Sequence, residues 1–368
     1  MYTGRIARFD APGTPFQIDT VTLPEVGPGE ILIRVTRTNI CGSDLHAWHG
    51  TFATRGLGGQ LPTVLGHEMV GSVEALGDGV SADSNGAPLQ QGTRVVFPYF
   101  FACHTCRNCL AGRRNACLKL KMAMLGRADE PPYFVGGYGD FFLLPAGAVV
   151  YTVPDSVSDA IAAGANCALS QVMYGLDRVQ QSLGETVVVQ GAGALGLHAI
   201  AVAKARGAAQ VIAVDGIADR LELATAFGAD AVIDINEVGT AKDRTKAVRK
   251  LTGGHGADVV VEVVGHPSAI DEGLQMLGQF GRYVEIGNIN IGKTFEFDPS
   301  RFVFSNKTMV GVSLYDPAVL SHALNFLAQH QHSLPLDRLA AAQYRLEDIN
   351  DAFAAAEDKR DVRASILP

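Results

Sequence analysis

A glycine-rich turn at residues 187–196 restricts the possible folds of this chain more strongly than any other segment. The segment reads Val-Val-Val-Gln-Gly-Ala-Gly-Ala-Leu-Gly, which is an apolar strand, a G-x-G-x-x-G turn and the start of a helix. Gly191 permits the tight turn, Gly193 leaves room for a ligand against the backbone, and Gly196 allows close packing of helix on strand. A second predicted strand ends in Asp215, at the spacing expected of a dinucleotide-binding βαβ unit.

Strand and helix patterns alternate through the part of the chain that surrounds this turn. An Ala-rich helix is predicted at 158–182, and further helices are predicted at 195–206 and 218–227. The predicted strands are short and apolar, and they lie at 186–189, 210–214, 231–235, 259–262 and 282–286. Such alternation is typical of a parallel sheet with right-handed crossovers, so the region is predicted to be an α/β, doubly wound Rossmann domain.

Residues 1–155 have a different, β-rich character. Alternating apolar positions predict strands at 30–36, 69–75, 94–97 and 141–144, with Gly and Pro between them, as in a compact β-barrel-like domain. A strand-like segment at 363–367 is expected to rejoin this domain. The length of 368 residues exceeds what one hydrophobic core usually supports, which also favours two domains.

The composition argues against several functional classes. Apolar residues make up 47% of the chain and charged residues 18%, as in ordinary globular proteins. The net charge of −8 offers no basic surface to nucleic acid, so no such partner is expected. The most apolar stretch, 186–203, is interrupted by polar residues and glycines, and residues 1–10 lack the pattern of a signal peptide. We therefore expect a cytoplasmic protein with no membrane partner.

Four of the six cysteines lie close together in one predicted loop. They are Cys103, Cys106, Cys109 and Cys117. In a reducing compartment, clustered cysteines are more often metal ligands than disulfides. Four thiolates match a closed tetrahedral zinc site, which leaves no open position and therefore has a structural role. An iron–sulfur cluster is the alternative for such a run of cysteines.

A second possible metal site is dispersed along the chain. It comprises Cys41, His67 and Cys167, and Glu68 directly follows the histidine. Two cysteines and one histidine provide three protein ligands, and water or substrate takes the fourth position in catalytic zinc sites of this kind. Sequence spacing does not show whether these residues converge. Taken alone, Cys167 would more often be a small buried apolar side chain, and His67 a core or turn histidine with satisfied hydrogen bonds.

The combination of these motifs, in this order, resembles the zinc-containing medium-chain alcohol dehydrogenases. The motifs are Cys41, the Gly66-His67-Glu68 triplet, the four-cysteine loop, the glycine-rich turn and Asp215. The resemblance covers essentially the whole chain. It implies a GroES-like, β-rich catalytic domain at 1–160 and 316–368, which carries both zinc sites, and a Rossmann NAD-binding domain at 161–315. It also implies a homodimer or homotetramer.

The resemblance implies roles for the residues around the catalytic zinc. Cys41, His67 and Cys167 are the expected ligands. Glu68 corresponds to the carboxylate behind the metal, where it can tune the charge or exchange with water as a ligand. Asp44 corresponds to the residue that orients a ligand histidine through a hydrogen bond.

Further family positions correspond to a proton relay and a substrate pocket. Ser43 and His46 match the relay, and the ordinary pKa of His, about 6.5, suits release of a proton to solvent. Phe52, Tyr99 and Trp48 match positions that line the pocket, which is expected between the domains. Three aromatic side chains favour an apolar alcohol over a heavily hydroxylated sugar.

The remaining family positions concern the cofactor. Ala194 and Leu195 begin the helix whose N-terminus faces the phosphates in such turns. Asp215 would accept hydrogen bonds from the adenosine ribose and repel a 2′-phosphate, so NAD is favoured over NADP, although Arg220 lies close by and weakens that preference. Arg363 resembles the arginine that reaches the cofactor pyrophosphate.

The implied function is hydride transfer between NAD and an alcohol/ketone pair, with a secondary or cyclic alcohol as the preferred substrate. The alternatives on the same scaffold are a polyol- or threonine-type dehydrogenase, a reductase of activated double bonds and a dehydrogenase of aldehyde adducts. A non-enzymatic relative is a further alternative. The presence of all three expected ligands, Cys41, His67 and Cys167, argues against that last one.

Overall fold

The computed structural model describes residues 1–23, 25–51, 60–289, 291–358 and 362–368. The N-terminal part consists mainly of short strands. They are β1 (Tyr2–Phe9), β2 (Gln17–Leu23), β3 (Ile31–Asn39), β4 (Thr63–Val64), β5 (Glu68–Leu76), β6 (Arg94–Val96), β7 (Phe100–Phe101), β8 (Lys121–Met122), β9 (Phe141–Leu144) and β10 (Tyr151–Thr152). Three short helices accompany them: α1 (Gly42–Trp48), α2 (Arg107–Leu110) and α3 (Asp159–Ala162).

The middle of the chain alternates between strand and helix. Its strands are β11 (Thr186–Gln190), β12 (Gln210–Asp215), β13 (Ala231–Asp234), β14 (Ala257–Glu262), β15 (Leu277–Glu285) and β16 (Thr308–Gly311). Its helices are α4 (Ser170–Arg178), α5 (Ala194–Ala205), α6 (Ala218–Ala226), α7 (Ala241–Leu251), α8 (Pro267–Met276) and α9 (Pro299–Phe304). The C-terminal part adds α10 (Val319–His330), β17 (Ala342–Arg345), α11 (Ile349–Glu357) and β18 (Ala364–Leu367).

The chain divides into two compact units. The first comprises residues 1–167 and 316–368, and the second comprises residues 168–315. The division falls later in the chain than the boundary after residue 160 that the sequence suggested, and Cys167 therefore belongs to the same unit as Cys41 and His67.

The main sheet of the first unit positions the candidate metal ligands. Its strands run in the order β10-β6-β5-β3-β18-β17, and β9 also pairs with β3. The C-terminal strand β18 pairs antiparallel with β3, and β3 pairs antiparallel with β5. Apolar side chains from these strands and from α11 form a continuous core, which includes Leu32, Phe353 and Ile366. Because β3 and β5 are adjacent, the segment that follows β3 and the segment that precedes β5 lie close together, and these segments contain Cys41 and His67.

The second unit contains a parallel sheet with the strand order β13-β12-β11-β14-β15-β16. The order reverses its direction between β11 and β14, which is the topological switch point of a doubly wound fold. Strand β11 is buried from Val187 to Gln190, since helices cover both faces of such a sheet. The predicted doubly wound α/β sheet is confirmed. Within the described residues, no helix has both the length and the apolar character that are needed to cross a membrane.

The prediction of one continuous helix at 158–182 was wrong. The structure has the short helix α3, a π-helical turn at Ala165–Leu169 and then α4, which ends at Arg178. The side-chain amide of Asn166 donates to the carbonyl oxygens of His67 and Phe97, both at 3.0 Å. These tertiary bonds outweigh the helix propensity of the Ala-rich segment, and π-turns of this kind are frequent at functional sites.

Candidate active site

The structure brings the dispersed candidate ligands together. Ligand atoms of Cys41, His67, Glu68 and Cys167 all lie within 4.8 Å of one another, and all four residues are buried. The Nε2 atom of His67 lies 3.5 Å from the Sγ atom of Cys167, close to the separation of about 3.5 Å that tetrahedral zinc with ordinary bond lengths would impose. The donor set and its spacing therefore fit a zinc ion.

Local structure places each ligand. Cys41 directly precedes α1, at the end of the β3 connection, and His67 directly precedes β5. Gly66 adopts a φ of +89°, and a Cβ atom at this position would lie 2.9 Å from the ring of Tyr138. Only glycine fits such a left-handed and crowded position without strain, so Gly66 allows the chain to turn and present His67.

Asp44 fixes the orientation of the histidine. This carboxylate is fully buried and accepts from the backbone N–H of Cys41 at 2.9 Å and of Gly66 at 3.2 Å. The hydroxyl of Tyr138 donates to it at 3.1 Å, and its Oδ1 atom lies 3.3 Å from Nδ1 of His67. Because Asp44 takes the Nδ1 side of the ring, Nε2 faces the cluster of ligands. Asn166 and Tyr138, which support His67 and Asp44, were not identified from the sequence, since no local motif marks them.

The same contacts perturb the ionisation of the ligands. The pKa of Cys41 lies well below its ordinary value because the thiol of Cys167 donates a hydrogen bond to its sulfur, an effect that burial opposes and His67 reinforces. Burial lowers the pKa of His67, but the charge and hydrogen bond of Asp44 outweigh burial, and Cys41 adds to them, so the pKa is raised to about 10. The pocket thus favours a thiolate at Cys41, which is the metal-binding form of the side chain.

Glu68 lies next to the candidate ligands, and only one of its two carboxylate oxygens is held by other side chains. Its Oε2 atom forms an ion pair with Arg363, whose side chain is also buried, whereas its Oε1 atom is buried without a hydrogen-bond partner. A buried carboxylate oxygen without a partner is costly unless a cation or donor faces it, which agrees with a metal ion at this cluster. The predicted contact of Arg363 with the cofactor pyrophosphate stays a prediction.

Of the predicted relay and pocket residues, Ser43 and Tyr99 lie beside His67, whereas Trp48 lies in the core of the first unit. Ser43 lies in α1 with its Oγ atom 3.4 Å from Nε2 of His67, and His46 lies one turn further along the same helix. The ring of Tyr99 packs on His67 with 4.7 Å between the centroids. Trp48 instead packs on Phe353 in the core of the first unit, and its indole nitrogen donates to a backbone carbonyl. Phe52 lies outside the described residues.

The four-cysteine loop forms the second cluster. The Sγ atoms of Cys103, Cys106, Cys109 and Cys117 lie within 4.8 Å of one another. The sulfur of Cys106 is 3.5 Å from that of Cys109 and 3.9 Å from that of Cys117, which is too long for a disulfide and close to the edge of about 3.8 Å of a ZnS₄ tetrahedron. A multi-iron cluster would hold its sulfurs farther apart, because the cluster itself would lie between them.

Hydrogen bonds prepare this loop for a metal. The backbone N–H of Thr105 and its side chain lower the pKa of Cys103 to about 5, whereas burial raises the pKa of Cys109 to about 12. The backbone N–H groups of Cys103 and Lys119 donate to the sulfur of Cys117 at 3.2 and 3.3 Å. Such bonds stabilise the thiolate form that zinc requires.

The glycine-rich turn of the second unit has the features of a nucleotide site. Gly191 adopts a φ of +96°, and a Cβ atom on Gly196 would lie 1.8 Å from the carbonyl oxygen of Gly191. A Cβ atom on Gly193 would meet only Nη1 of Arg220, at 3.8 Å, so the backbone there is open to a ligand. Gly193 is the N-cap of α5 and provides no side chain to cap the helix, which leaves the first-turn N–H groups, including that of Leu195, for an anion.

Asp215 lies at the C-terminal end of β12, beside this turn. Its Oδ2 atom accepts from the backbone N–H of Ala192 at 2.6 Å, and its Oδ1 atom accepts from Gly216 and Ile217 at 2.7 and 2.9 Å. The carboxylate therefore fastens the turn to the next strand. Oδ1 already accepts two hydrogen bonds, whereas Oδ2 accepts one and retains a lone pair for a hydroxyl group of a ribose.

Comparison with known proteins assigns the chain to a protein family. Residues 27–155 match the alcohol dehydrogenase GroES-like domain, and residues 194–329 match the zinc-binding dehydrogenase family. The chain belongs to the zinc-binding alcohol dehydrogenases. This zinc-binding alcohol dehydrogenase is 33% identical over 340 residues to 5-exo-hydroxycamphor dehydrogenase from Pseudomonas putida, an alignment that covers 92% of each chain.

Other relatives of this zinc-binding alcohol dehydrogenase support the same reaction class. It is 32% identical over 361 residues to erythritol/L-threitol dehydrogenase from Mycolicibacterium smegmatis, with 96% of this chain and 94% of the relative covered. The crystal structure of an alcohol dehydrogenase from Thermotoga maritima is similar with a TM-score of 0.93 at 26% identity, over 100% of both chains. The predicted GroES-like domain, the hydride transfer between an alcohol and NAD, and the use of zinc are confirmed.

Proposed function

We propose that this enzyme oxidises apolar secondary or cyclic alcohols to ketones with NAD, and that Cys41, His67 and Cys167 hold its catalytic zinc. The observation that carries the proposal is the convergence of these ligand atoms from three distant segments. A zinc ion bound there acts as a Lewis acid that makes the hydroxyl of an alcohol more acidic and polarises the carbonyl of a ketone. The four cysteines of the loop around residues 103–117 hold the second, structural zinc in this proposal.

The side chains of α1 move the proton of the substrate. The Oγ atom of Ser43 lies 3.4 Å from the ligand nitrogen of His67, so a hydroxyl group bound at this site would lie close to it. Ser43 would accept the alcohol proton, and His46, one turn further along α1, would release a proton to solvent. Asp44 has a separate task, because it is fully buried and holds the imidazole of His67.

The turn of the second unit binds the cofactor. The N–H groups at Ala194 and Leu195 and the helix dipole of α5 favour the pyrophosphate. Asp215 accepts from the adenosine ribose and disfavours a 2′-phosphate, so NAD is preferred to NADP. Arg220 flanks the open backbone of Gly193 and adds positive charge beside the phosphates. Arg363 is proposed to reach the pyrophosphate from its place beside Glu68.

One aromatic ring beside the metal cluster supports an apolar substrate. Tyr99 is buried and packs on His67, so a substrate at this metal site contacts an aromatic ring. The P. putida relative is named for a hydroxycamphor, which is a cyclic alcohol. The M. smegmatis relative is named for erythritol and L-threitol, and a polyol dehydrogenase is therefore the second candidate.

A substrate panel separates the candidates. The purified enzyme is incubated with NAD and cyclohexanol, borneol, erythritol, L-threonine or ethanol, and the absorbance of NADH is followed. The proposal expects kcat/KM for a cyclic secondary alcohol to exceed that for erythritol and threonine by at least about tenfold, because hydroxyl groups placed against the ring of Tyr99 would be left unpaired. Higher kcat/KM with erythritol or threonine would assign the polyol or threonine activity instead. Elemental analysis should find two zinc atoms per chain.

Two further features belong to the same proposal. All six cysteines are free thiols in the structure, which suits a reducing compartment, and we propose a cytoplasmic location. The family resemblance supports a homodimer or homotetramer. Light scattering of the purified enzyme measures the mass of the assembly, and a monomer would contradict that part of the proposal.

A further inference from the structure

A row of buried polar residues crosses three neighbouring strands behind the metal cluster. Ser365 on β18 lies directly opposite Asn39 on β3, and Asn39 lies directly opposite Glu68 on β5. Residues that are paired in this way present their side chains on the same face of the sheet. Arg37, two residues before Asn39, and Arg363, two residues before Ser365, flank this cross-strand row. The exposed fraction of each of these five side chains is between 0% and 8%.

The side chains of the row are joined by hydrogen bonds. Nη1 of Arg37 donates to Oγ of Ser365 at 3.2 Å, and Oγ of Ser365 donates to Oδ1 of Asn39 at 2.8 Å. Nδ2 of Asn39 then donates to Oε2 of Glu68 at 3.4 Å. Arg363 forms its ion pair with the same Oε2 atom. Glu68 is thus held at one oxygen only.

The direction of this chain of hydrogen bonds is fixed by chemistry. A guanidinium group can only donate, so Ser365 must accept from Arg37 and has its own proton left for Asn39. Oδ1 of Asn39 accepts that proton, which turns the amide so that its NH₂ group faces Glu68. Without the serine proton, the buried Oδ1 atom of Asn39 would lose its donor, and only the contact with Glu68 would still orient the amide, so its hold on Oε2 would weaken.

We propose that Asn39 and Ser365 are positioning residues for Glu68, and that they hold its Oε2 atom away from the metal so that Oε1 alone faces it. The inference rests on the proposed catalytic zinc site. Its further support is that Oε1 is buried without a hydrogen-bond partner, and that a carboxylate oxygen of Glu68 lies in the cluster formed with Cys41, His67 and Cys167. A carboxylate that is fixed in this way sets how readily the metal leaves. Outer-shell partners of metal ligands commonly change metal affinity by about 10- to 100-fold.

The test compares zinc release from the holoenzyme in two variants. Ser365→Ala removes the proton that orients Asn39, and Asn39→Asp replaces the amide donor with a carboxylate that repels Glu68. Each holoenzyme is mixed with a chromophoric zinc chelator, and the release of the two zinc atoms is followed over time. We expect the zinc of the Cys41 site to be released about 10- to 100-fold faster in both variants. The rate for the four-cysteine site should not change, which provides an internal standard.

Thr38→Val is the matched control. Thr38 is fully buried on the same strand, and its hydroxyl donates to the carbonyl of Gly137 at 2.7 Å. As the neighbour of Asn39 in β3 it faces the other side of the sheet, so its loss destabilises the strand without reaching Glu68. Zinc release from the Cys41 site in this control should stay within about twofold of the unmodified enzyme.

A spectroscopic readout covers the case in which a variant folds poorly. Cobalt(II) is exchanged into the Cys41 site, and its visible absorption bands report the ligand geometry. The proposal expects shifted bands in Asn39→Asp and in Ser365→Ala, and unshifted bands in Thr38→Val. Unchanged release rates and bands in both row variants, or equal changes in the control, would overturn the positioning role. If that negative result is obtained with two zinc atoms per chain, only the positioning role fails and the proposed function stands. If the unmodified enzyme holds zinc at the four-cysteine site alone, the proposed function itself is contradicted.

Discussion

The paired carboxyl groups of Glu262 and Glu285 should make the stability of the second unit depend on pH. The two residues end the adjacent strands β14 and β15 and lie directly opposite each other. Glu262 is fully buried, and its Oε1 atom accepts from the backbone N–H groups of Val264 and Gly265 at 2.6 and 2.7 Å. Burial, followed by the hydrogen bond and charge of Glu285, nevertheless raises the pKa of Glu262 from its ordinary 4.5 to about 8.

The raised pKa of Glu262 determines how the stability changes with pH. The folded chain holds the Glu262 proton more tightly than the unfolded chain, so the free energy of unfolding falls as the pH rises from 4.5 to about 8. The difference in pKa corresponds to about 5 kcal/mol as an upper limit, because water and the backbone adjust around a buried charge. We expect a measured loss of about 2–4 kcal/mol across this window.

Glu262→Gln removes the titration and keeps the shape of the side chain. Urea unfolding followed by far-UV circular dichroism is measured for both proteins between pH 5 and pH 9. The variant should gain stability relative to the unmodified enzyme as the pH rises, and the difference should level off above about pH 8. Glu285→Gln removes the neighbouring charge and should reduce the same pH dependence only in part. The reasoning would be refuted if the free energies of unfolding of Glu262→Gln and the unmodified enzyme differed by the same amount at every pH in this range.

Three further substitutions test the sites. Cys41→Ser should lower the zinc content from two atoms per chain to one and abolish turnover, yet leave NADH binding, which fluorescence titration measures; near-normal kcat would contradict the zinc assignment. Gly196→Ala should weaken NADH binding at least about tenfold, since its Cβ atom would lie 1.8 Å from the Gly191 carbonyl oxygen, and unchanged affinity would show that the turn can relax. Asp215→Ala should raise the Kd for NAD more than the Kd for NADP, and an unchanged ratio would count against its ribose contact.

Local sequence was sufficient to predict those candidate sites whose residues lie close together in one segment. The glycine turn at 187–196 and the four-cysteine loop are such cases, because a few consecutive residues determine their geometry. The order of strands and helices in the second unit was also predictable, since buried strands and amphipathic helices have different periods. The family resemblance added the predicted roles of Cys41, His67 and Cys167.

Propensity alone failed in the segment that leads to the third ligand. The Ala-rich residues 158–182 favour a continuous helix, but Asn166 bonds to the carbonyl groups of His67 and Phe97 and imposes a π-helical turn. Helix propensities amount to a few tenths of a kcal/mol per residue, so two buried hydrogen bonds outweigh them.

The sequence by itself determined which chemical groups this protein possesses and, outside the segment 158–182, most of its strands, helices and tight turns. Only the tertiary structure decided which groups meet. Strand β18 places Ser365 beside Asn39, 326 positions away in the chain, and the register of β3 with β5 then places Asn39 beside Glu68. The register of β14 with β15 brings two carboxyl groups together in the same way. The physical reason is that strand pairing is set by burial and turn geometry over the whole sheet, and shifting a pair by one residue would send every side chain to the opposite face.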